Sequence, residues 1–204
     1  MKIKGKPGFT LIELLTVISI IIVLAGLVIG TAGYIQQKAA RARAQAEIVA
    51  ISSACESYKA ENGAYPMDSG SATSQLYPAG ANVAYDPASA NATTYQNACA
   101  VLYQALTNDG NTLLGGSSPS KGQLGSSGNG GKIYLTTLKP SQTGSNGTTY
   151  YIQDPFGFCY GYSTAMATSG TNGYNPTFDL WSTAGTTTST ASLSGTKWIT
   201  NWSN

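Results

Sequence analysis

The sequence predicts an α+β fold: one long N-terminal helix, whose first half is transmembrane, packs on a small antiparallel β-sheet with a short second helix. An apolar run without charge or proline extends from Leu14 to Gly33. No proline interrupts the chain from Phe9 to Asn62, and its glycines are tolerable in a helix. From residue 132 onward, short segments rich in aromatic and β-branched residues alternate with turn residues, which is typical of strands.

The apolar run has the length of a membrane span. About 20 apolar residues rising 1.5 Å each match a hydrocarbon core of roughly 30 Å. Three lysines precede the run, and the bias of basic residues toward the cytoplasm predicts a cytoplasmic N-terminus. The bias is incomplete because basic residues also follow the run closely. These flanking residues are Lys2, Lys4 and Lys6 on one side and Lys38, Arg41 and Arg43 on the other.

Glu13 is the anomaly of this segment, because an ionisable group inside a membrane span is costly and by default functional. Two simpler interpretations compete with a functional one. The segment has the form of a secretory signal with a small-residue cleavage site at residues 30–32. It also has the form of a plain single-span anchor with Glu13 at the membrane interface.

Residues 8–13, Gly-Phe-Thr-Leu-Ile-Glu, resemble the class III signal of type IV pilins and of the pseudopilins of type II secretion systems. The resemblance implies that a prepilin peptidase cuts after Gly8 and that Phe9 becomes the N-methylated first residue. It also implies that Glu13 meets the N-terminal amine of a neighbouring subunit during assembly. The implied partners are identical subunits in a helical filament, minor pilins, the inner-membrane assembly platform and, before assembly, membrane lipid.

The expected domain organisation follows from these segments. Residues 1–8 are the leader, 9–33 the transmembrane and assembly half of the helix, 34–62 its soluble half, and 63–204 a globular pilin-like domain with polar loops. The expected location is a single pass through the inner membrane, with the N-terminus cytoplasmic and the C-terminal domain periplasmic or extracellular. The subunit then enters a filament.

The soluble half of the long helix carries one apolar stripe at helical spacing, formed by Ala44, Ile48, Ile51, Cys55 and Tyr58. The stripe predicts the face on which the globular domain packs. The opposite face is expected to meet solvent and contains Arg43, Gln45, Glu47, Glu56 and Lys59. Asn62-Gly63 and Pro66 predict the end of the helix.

Beyond the helix, the pattern predicts a loop over residues 67–95 and a second helix that follows Asn97 and ends at Asp109-Gly110. Residues 115–131 have the composition of a flexible segment. Four strands are then expected within residues 132–140, 148–153, 158–163 and 177–182.

Three C-terminal motifs resemble signatures of the major pseudopilin of type II secretion, in the same order. They are Asp154-Pro155-Phe156-Gly157, Phe178-Asp179-Leu180-Trp181-Ser182 and Trp198-Ile199-Thr200-Asn201-Trp202. In the family, the loop after the second of these motifs carries calcium-binding aspartates, whereas the corresponding residues 185–192 here contain no acid. Because calcium requires several oxygen ligands including carboxylates, we expect no metal site, which thermal unfolding with calcium or chelator tests.

Cys55, Cys99 and Cys159 leave at least one thiol unpaired, and the sequence does not fix a pairing. One expectation is that all three cysteines are buried thiols. If one disulfide bridge forms, we favour a bridge between Cys55 and either of the other two.

The charge balance bears on nucleic-acid binding. Loss of the leader lysines leaves 8 basic and 9 acidic side chains, and no basic run with interleaved aromatics follows Arg43. Nucleic-acid binding is therefore not expected.

Histidine is absent, which removes Ser-His-Asp and Cys-His catalysis, and the carboxylates after residue 60 are scattered near turns. We therefore expect no enzymatic activity and no cofactor.

The expected function is that of a structural subunit of a type II secretion pseudopilus, which polymerises through its N-terminal helix to help export folded proteins. Two alternatives stay open: a type IV pilus subunit for adhesion, motility or DNA uptake, and a monomeric membrane-anchored surface protein that binds sugar.

Overall fold

The computed structural model describes residues 8–67, 92–107, 132–136, 138–145, 150–185 and 198–202, without the side chains at positions 31, 32 and 92–94. The predicted α+β, pilin-like layout is confirmed. The elements are helix α1 (Leu11–Asn62), helix α2 (Ala92–Thr107), a 3-10 turn (Pro140–Gln142), strands β1 (Thr143–Ser145), β2 (Tyr150–Ile152) and β3 (Gly161–Ser163), helix α3 (Ala165–Ser169), and strands β4 (Asp179–Ser182) and β5 (Ile199–Thr200). By its internal contacts the chain divides into two units, Met1–Ala39 and Ala40–Asn204.

The first unit contains the apolar part of α1, whose large side chains are exposed from Phe9 to Ile29. Within the described residues, α1 is the one helix that is long and apolar enough to cross a membrane. Its predicted continuity is also confirmed, because α1 extends over 52 residues without a break. It ends at Asn62, and Gly63 takes a positive φ of 78° while its N–H donates to the Lys59 carbonyl.

In the second unit, the apolar stripe of α1 enters the core as predicted. Ala44, Ile48, Ile51 and Cys55 are buried, and Tyr58 packs against the same core. Ala54 is buried beside them. This core also takes in residues of α2 and of strands β2 to β5, so one cluster joins every layer of the unit.

Two residues of the expected solvent face of α1, Lys59 and Glu47, are only partly exposed. Lys59 donates to Tyr65 Oη at 3.2 Å. The expectation is most clearly wrong at Glu47. Its carboxylate is partly buried and accepts hydrogen bonds from Tyr160 Oη at 2.6 Å and from Gln142 Nε2 at 2.9 Å. A carboxylate bonded in this way is satisfied away from bulk water. Glu47 therefore links α1 to the 3-10 turn and to the residue before β3.

Helix α2 begins at Ala92, six residues before the expected start at Ala98. Tyr95 explains the extension, because it is almost fully buried and its ring meets that of Trp181 edge to face at 5.9 Å. Packing of this aromatic pair favours a further helical turn. The rest of the expected loop lies at residues 68–91, outside the described residues, as do residues 108–110 and the expected flexible segment 115–131.

The sequence predicts a single sheet, whereas the strands form two small antiparallel sheets, β1-β2 and β3-β4-β5. The strand expected within residues 132–140 is wrong. The N–H groups of Tyr134 and Leu135 donate to the Leu106 carbonyl at 2.9 and 3.0 Å. That carbonyl belongs to the last turn of α2, where no helical partner is left for it. The segment therefore caps α2 instead of pairing with a strand.

The close approach of β3 to β4 depends on Gly161. A Cβ at this position would overlap the Trp181 ring, which is fully buried and stacks on Trp198 with ring centroids 5.9 Å apart. At Gly144 a Cβ would also overlap a ring, but that ring is the outer end of the half-buried Tyr151. Only the Trp181 ring has no room to move.

We predict that Gly161→Ala destabilises the second unit by about 1–3 kcal/mol, the usual cost of overpacking a core. Gly144→Ala is the matched control and is expected to cost clearly less, because the Tyr151 side chain can swing toward solvent. Chemical unfolding followed by tryptophan fluorescence measures both variants. Equal losses would show that the Trp181 ring yields as easily as that of Tyr151.

Candidate functional site

The first turn of α1 holds Glu13 in a reciprocal contact with Thr10. Glu13 Oε2 accepts hydrogen bonds from the Thr10 N–H at 2.8 Å and from the Thr10 hydroxyl at 2.6 Å. The Glu13 N–H in turn donates to Thr10 Oγ1 at 3.4 Å. This is a capping box, in which an N-cap threonine and a glutamate three residues later satisfy donors at the helix start. Glu13 thus has a local partner at the N-terminal edge of the apolar segment.

Gly8 and Phe9 lie just before this capping box, and the Phe9 side chain is 83% exposed. A Cβ added at Gly8 would meet no described atom within 4 Å. The described fold therefore does not require glycine at this position. If processing requires it, the requirement comes from the protein that recognises the segment.

Two polar side chains beyond Glu13 in the apolar segment, those of Thr16 and Ser19, bond to the helix itself. The Thr16 hydroxyl donates to the Glu13 carbonyl at 3.0 Å, and the Ser19 hydroxyl donates to the Leu15 carbonyl at 2.8 Å. In hydrocarbon every polar group needs an internal partner, and these bonds supply one without water. Both side chains are therefore compatible with a membrane.

In the second unit, the first C-terminal motif is joined to the second by Asp154. Its Oδ1 accepts from the N–H groups of Phe156 and Phe158 at 3.0 and 2.9 Å. Its Oδ2 accepts from the Ser182 hydroxyl at 2.5 Å. Gly157 closes the turn with a φ of 91°. Burial raises the pKa of the Asp154 carboxyl above its ordinary value, although these hydrogen bonds act in the opposite direction.

The third motif is joined to the second by Asn201. Its Oδ1 accepts from the Leu180 N–H at 2.8 Å, and its own N–H donates to the Leu180 carbonyl at 3.0 Å. Its Nδ2 donates to the Phe178 carbonyl at 3.2 Å. The three motifs singled out in the sequence therefore form one hydrogen-bonded unit.

Asp179 holds the chain that precedes β4. Its two oxygens accept from the N–H groups of Tyr174 and Asn175, each at 2.9 Å. Burial raises the pKa of this carboxyl as well. Because both oxygens are occupied by backbone donors, Asp179 organises a turn in the described structure.

The three cysteines are buried free thiols. The Cys99 thiol donates to the Ile152 carbonyl at 3.4 Å, and burial raises the pKa of Cys99 to about 12. Burial also raises the pKa of Cys55 and Cys159. A thiol with a raised pKa is a weak nucleophile, so these groups act as small apolar side chains in the core.

No group of three or more histidine, cysteine, aspartate or glutamate residues that could hold a metal ion occurs among the residues that the structure describes. Apart from Gly185, the loop expected to lack calcium, residues 185–192, lies outside those residues. That expectation therefore stays a prediction.

Sequence reasoning missed the role of Thr10, although the signal was available. Threonine followed three residues later by glutamate, just before an apolar run, is the sequence signature of a capping box. The role of Glu47 had no comparable signal, because its partners Gln142 and Tyr160 lie 95 and 113 residues away. Only the tertiary fold brings those three residues together.

Comparison with known families finds a match at the N-terminus. Residues 3–29 match the prokaryotic N-terminal methylation motif. The match includes Gly8, Phe9, Thr10 and Glu13, so the motif contains the capping box described above. The expected prepilin-type signal is confirmed at this level.

The chain is also similar in sequence to several proteins named type II secretion system core protein G. The chain is 39% identical to that of Klebsiella michiganensis over 66 residues, covering 32% of this chain and 46% of the relative. It is 44% identical over 61 residues to those of Pectobacterium carotovorum and Escherichia coli K12, covering 30% of this chain and 39% and 42% of the relatives. The alignments thus span less than half the length of these relatives, and no solved structure gave a significant match. The resemblance to type II secretion pseudopilins is confirmed over the aligned 61 to 66 residues.

We predict that Asp154 makes stability depend on pH. Its pKa is raised above the ordinary 3.8, so the native state holds the proton more tightly than the unfolded state. The stabilisation this contributes is complete below that ordinary value and is lost as pH rises through the native pKa. Asp154→Asn removes this dependence. The free energy of unfolding of the wild type relative to Asp154→Asn should therefore fall as pH rises from about 4 to 7.

Urea unfolding followed by tryptophan fluorescence at several pH values measures this difference. Asp179→Asn should behave in the same direction, because the pKa of Asp179 is also raised by burial. A difference that grows with pH would contradict the prediction, since it would mean that the hydrogen bonds to Asp154 outweigh its burial.

Proposed function

We propose that this protein is a structural subunit of a type II secretion pseudopilus, processed by prepilin peptidase and polymerised through α1 to help export folded proteins. The observation that carries the proposal is the first turn of α1. An acid, Glu13, stands at the start of a bilayer-length apolar helix, within a segment that matches the N-terminal methylation motif. The relatives, named core proteins G of that secretion system, support the same machine.

In this proposal residues 1–8 are removed and the amine of Phe9 becomes the new N-terminus. Before assembly, residues 9–33 span the inner membrane and residues 34–204 lie on its periplasmic side. The subunits then assemble into a filament together with minor pilins, at the inner-membrane assembly platform. The apolar side chains that are exposed in the single chain are buried between the helices of neighbouring subunits.

Glu13 supplies the register of that assembly. In a single chain its carboxylate accepts hydrogen bonds from the backbone and the hydroxyl of Thr10. The amine of a neighbouring Phe9 offers the opposite charge, and a buried pair is stable only when both partners are present. Charge neutralisation and correct placement of the subunit then occur in one step. Thr10 keeps the carboxylate bonded until that amine arrives.

We predict that mass spectrometry of the membrane-extracted protein finds a chain that begins at methylated Phe9. Gly8→Val should leave the precursor uncut. Because a Cβ at Gly8 meets no described atom, the substitution leaves the fold intact, and the far-ultraviolet circular dichroism of the variant checks this. A mature N-terminus near Gly33 would instead indicate a secretory signal and contradict the proposal.

We predict that Glu13→Ala and Glu13→Gln both stop or strongly reduce filament formation, measured in sheared surface fractions and by electron microscopy. Glutamine preserves the capping box with Thr10, because an amide also accepts from the N-cap N–H, but it removes the negative charge. The pair of variants therefore separates local helix capping from charge pairing between subunits. Normal filaments from Glu13→Gln would show that Glu13 acts only as a cap.

A further inference from the structure

The far end of the apolar segment carries a pair of side chains that the proposed function does not use. Tyr34 and Lys38 stand one helical turn apart on α1, and the Lys38 ammonium lies 5.2 Å from the centre of the Tyr34 ring. Both residues are exposed, with Tyr34 at 64%. No charged residue separates Lys38 from Glu13 in the sequence. Lys38 is therefore the first charge after the apolar segment.

The spacing of these residues matches the layers of a bilayer. Glu13 and Tyr34 are 21 residues apart in one helix. At 1.5 Å per residue they are separated by roughly 32 Å, close to the thickness of the hydrocarbon core. Lys38 lies about 6 Å further along the helix, which is the depth of the lipid headgroups.

The chemistry of the pair fits that position. Tyrosine is enriched at membrane interfaces because its ring is apolar and its hydroxyl is polar. A lysine just beyond the apolar part of a membrane helix extends its ammonium into the headgroup layer, where anionic lipids attract it. The cation–π contact favours an ammonium position beside the ring, at the boundary between hydrocarbon and headgroups.

We infer that Tyr34 and Lys38 form a binding site for the phosphate headgroup of an anionic phospholipid on the side of the membrane opposite the leader. The inference rests on the membrane span of the proposed function. Lys38 donates to the phosphate, and the Tyr34 ring holds the ammonium at the headgroup level. The site selects anionic over zwitterionic lipid and retains the subunit at a fixed depth before assembly.

The test uses the full chain in bilayers that contain equal amounts of phosphatidylglycerol and phosphatidylcholine. Native mass spectrometry then measures the ratio of the two lipids that remain bound. Lys38→Gln is expected to lower the preference for phosphatidylglycerol about fivefold, the effect of one lysine near a membrane surface, and Lys38→Arg is expected to retain it. Tyr34→Phe should stay close to the wild type, and Tyr34→Leu should lower the ratio.

Lys59→Gln is the matched control. Like Lys38, Lys59 lies over a tyrosine ring, with its ammonium 4.3 Å from the centre of the Tyr65 ring. Unlike Lys38, it follows the apolar segment by more than five helical turns. The substitution should leave the ratio unchanged. The leader lysines are identical in all variants, so they cannot produce a difference. An unchanged ratio in Lys38→Gln, or an equal fall in Lys59→Gln, overturns the inference.

Other outcomes are also decisive. If Lys38→Gln changes the oligomeric state of the chain and not its lipid ratio, the pair contacts a second copy and the inference is wrong. If the wild type is cleaved and membrane-bound but shows no lipid preference, the inference fails while the proposed function stands. If the chain does not remain in the bilayer at all, the proposed membrane span itself fails.

Discussion

The exposed apolar surface of α1 is the constraint on which the rest of this protein depends. Fifteen large apolar side chains between Phe9 and Ile29 are exposed in the single chain. Burial of each is worth about 1.5–3 kcal/mol, so together they represent on the order of 20 kcal/mol or more. This exceeds the usual 5–15 kcal/mol of net domain stability. Such a helix requires lipid or other apolar helices around it at every stage.

The polar groups at the two ends of this segment follow from the same constraint. Between Glu13 and Lys38 there is no charge, and the hydroxyls of Thr16 and Ser19 are bonded to the helix itself. In the proposed membrane placement, charge is therefore confined to the two edges of the bilayer. Glu13 is bonded to Thr10, which lowers the cost of keeping a carboxylate at that edge without removing its ability to meet a cation.

The parts of the fold that the sequence predicted are those with a local, periodic signal. The length of α1, its buried stripe and the positions of β2, β3 and β4 follow from apolar spacing and from turn residues. The early start of α2 did not, because it depends on the packing of Tyr95 against Trp181. The segment after residue 132 has the composition of a strand, yet its N–H groups cap α2 at Leu106. Composition does not reveal which partner a backbone group finds.

The residues of the candidate site, and those that organise the second unit, also differ in how far the sequence reveals them. Glu13 was evident because an acid in an apolar run is anomalous, and Thr10 could have been recognised from its spacing to that acid. Glu47 was assigned to solvent, because only the folded chain brings Gln142 and Tyr160 to its carboxylate. The three C-terminal motifs were recognised as a set, but their physical connection through Asp154 and Asn201 required the structure.

That connection explains how the described parts of the second unit are held together. Asp154 bonds the first motif to Ser182 of the second, and Asn201 of the third bonds to the backbone of the second at Phe178 and Leu180. These bonds are buried or partly buried, where an unmade bond costs more than in water. Beside them, the Trp181 ring stacks on Trp198 and meets the ring of Trp202 edge to face. The motifs therefore hold one another directly, through bonds between residues more than 20 positions apart in the sequence.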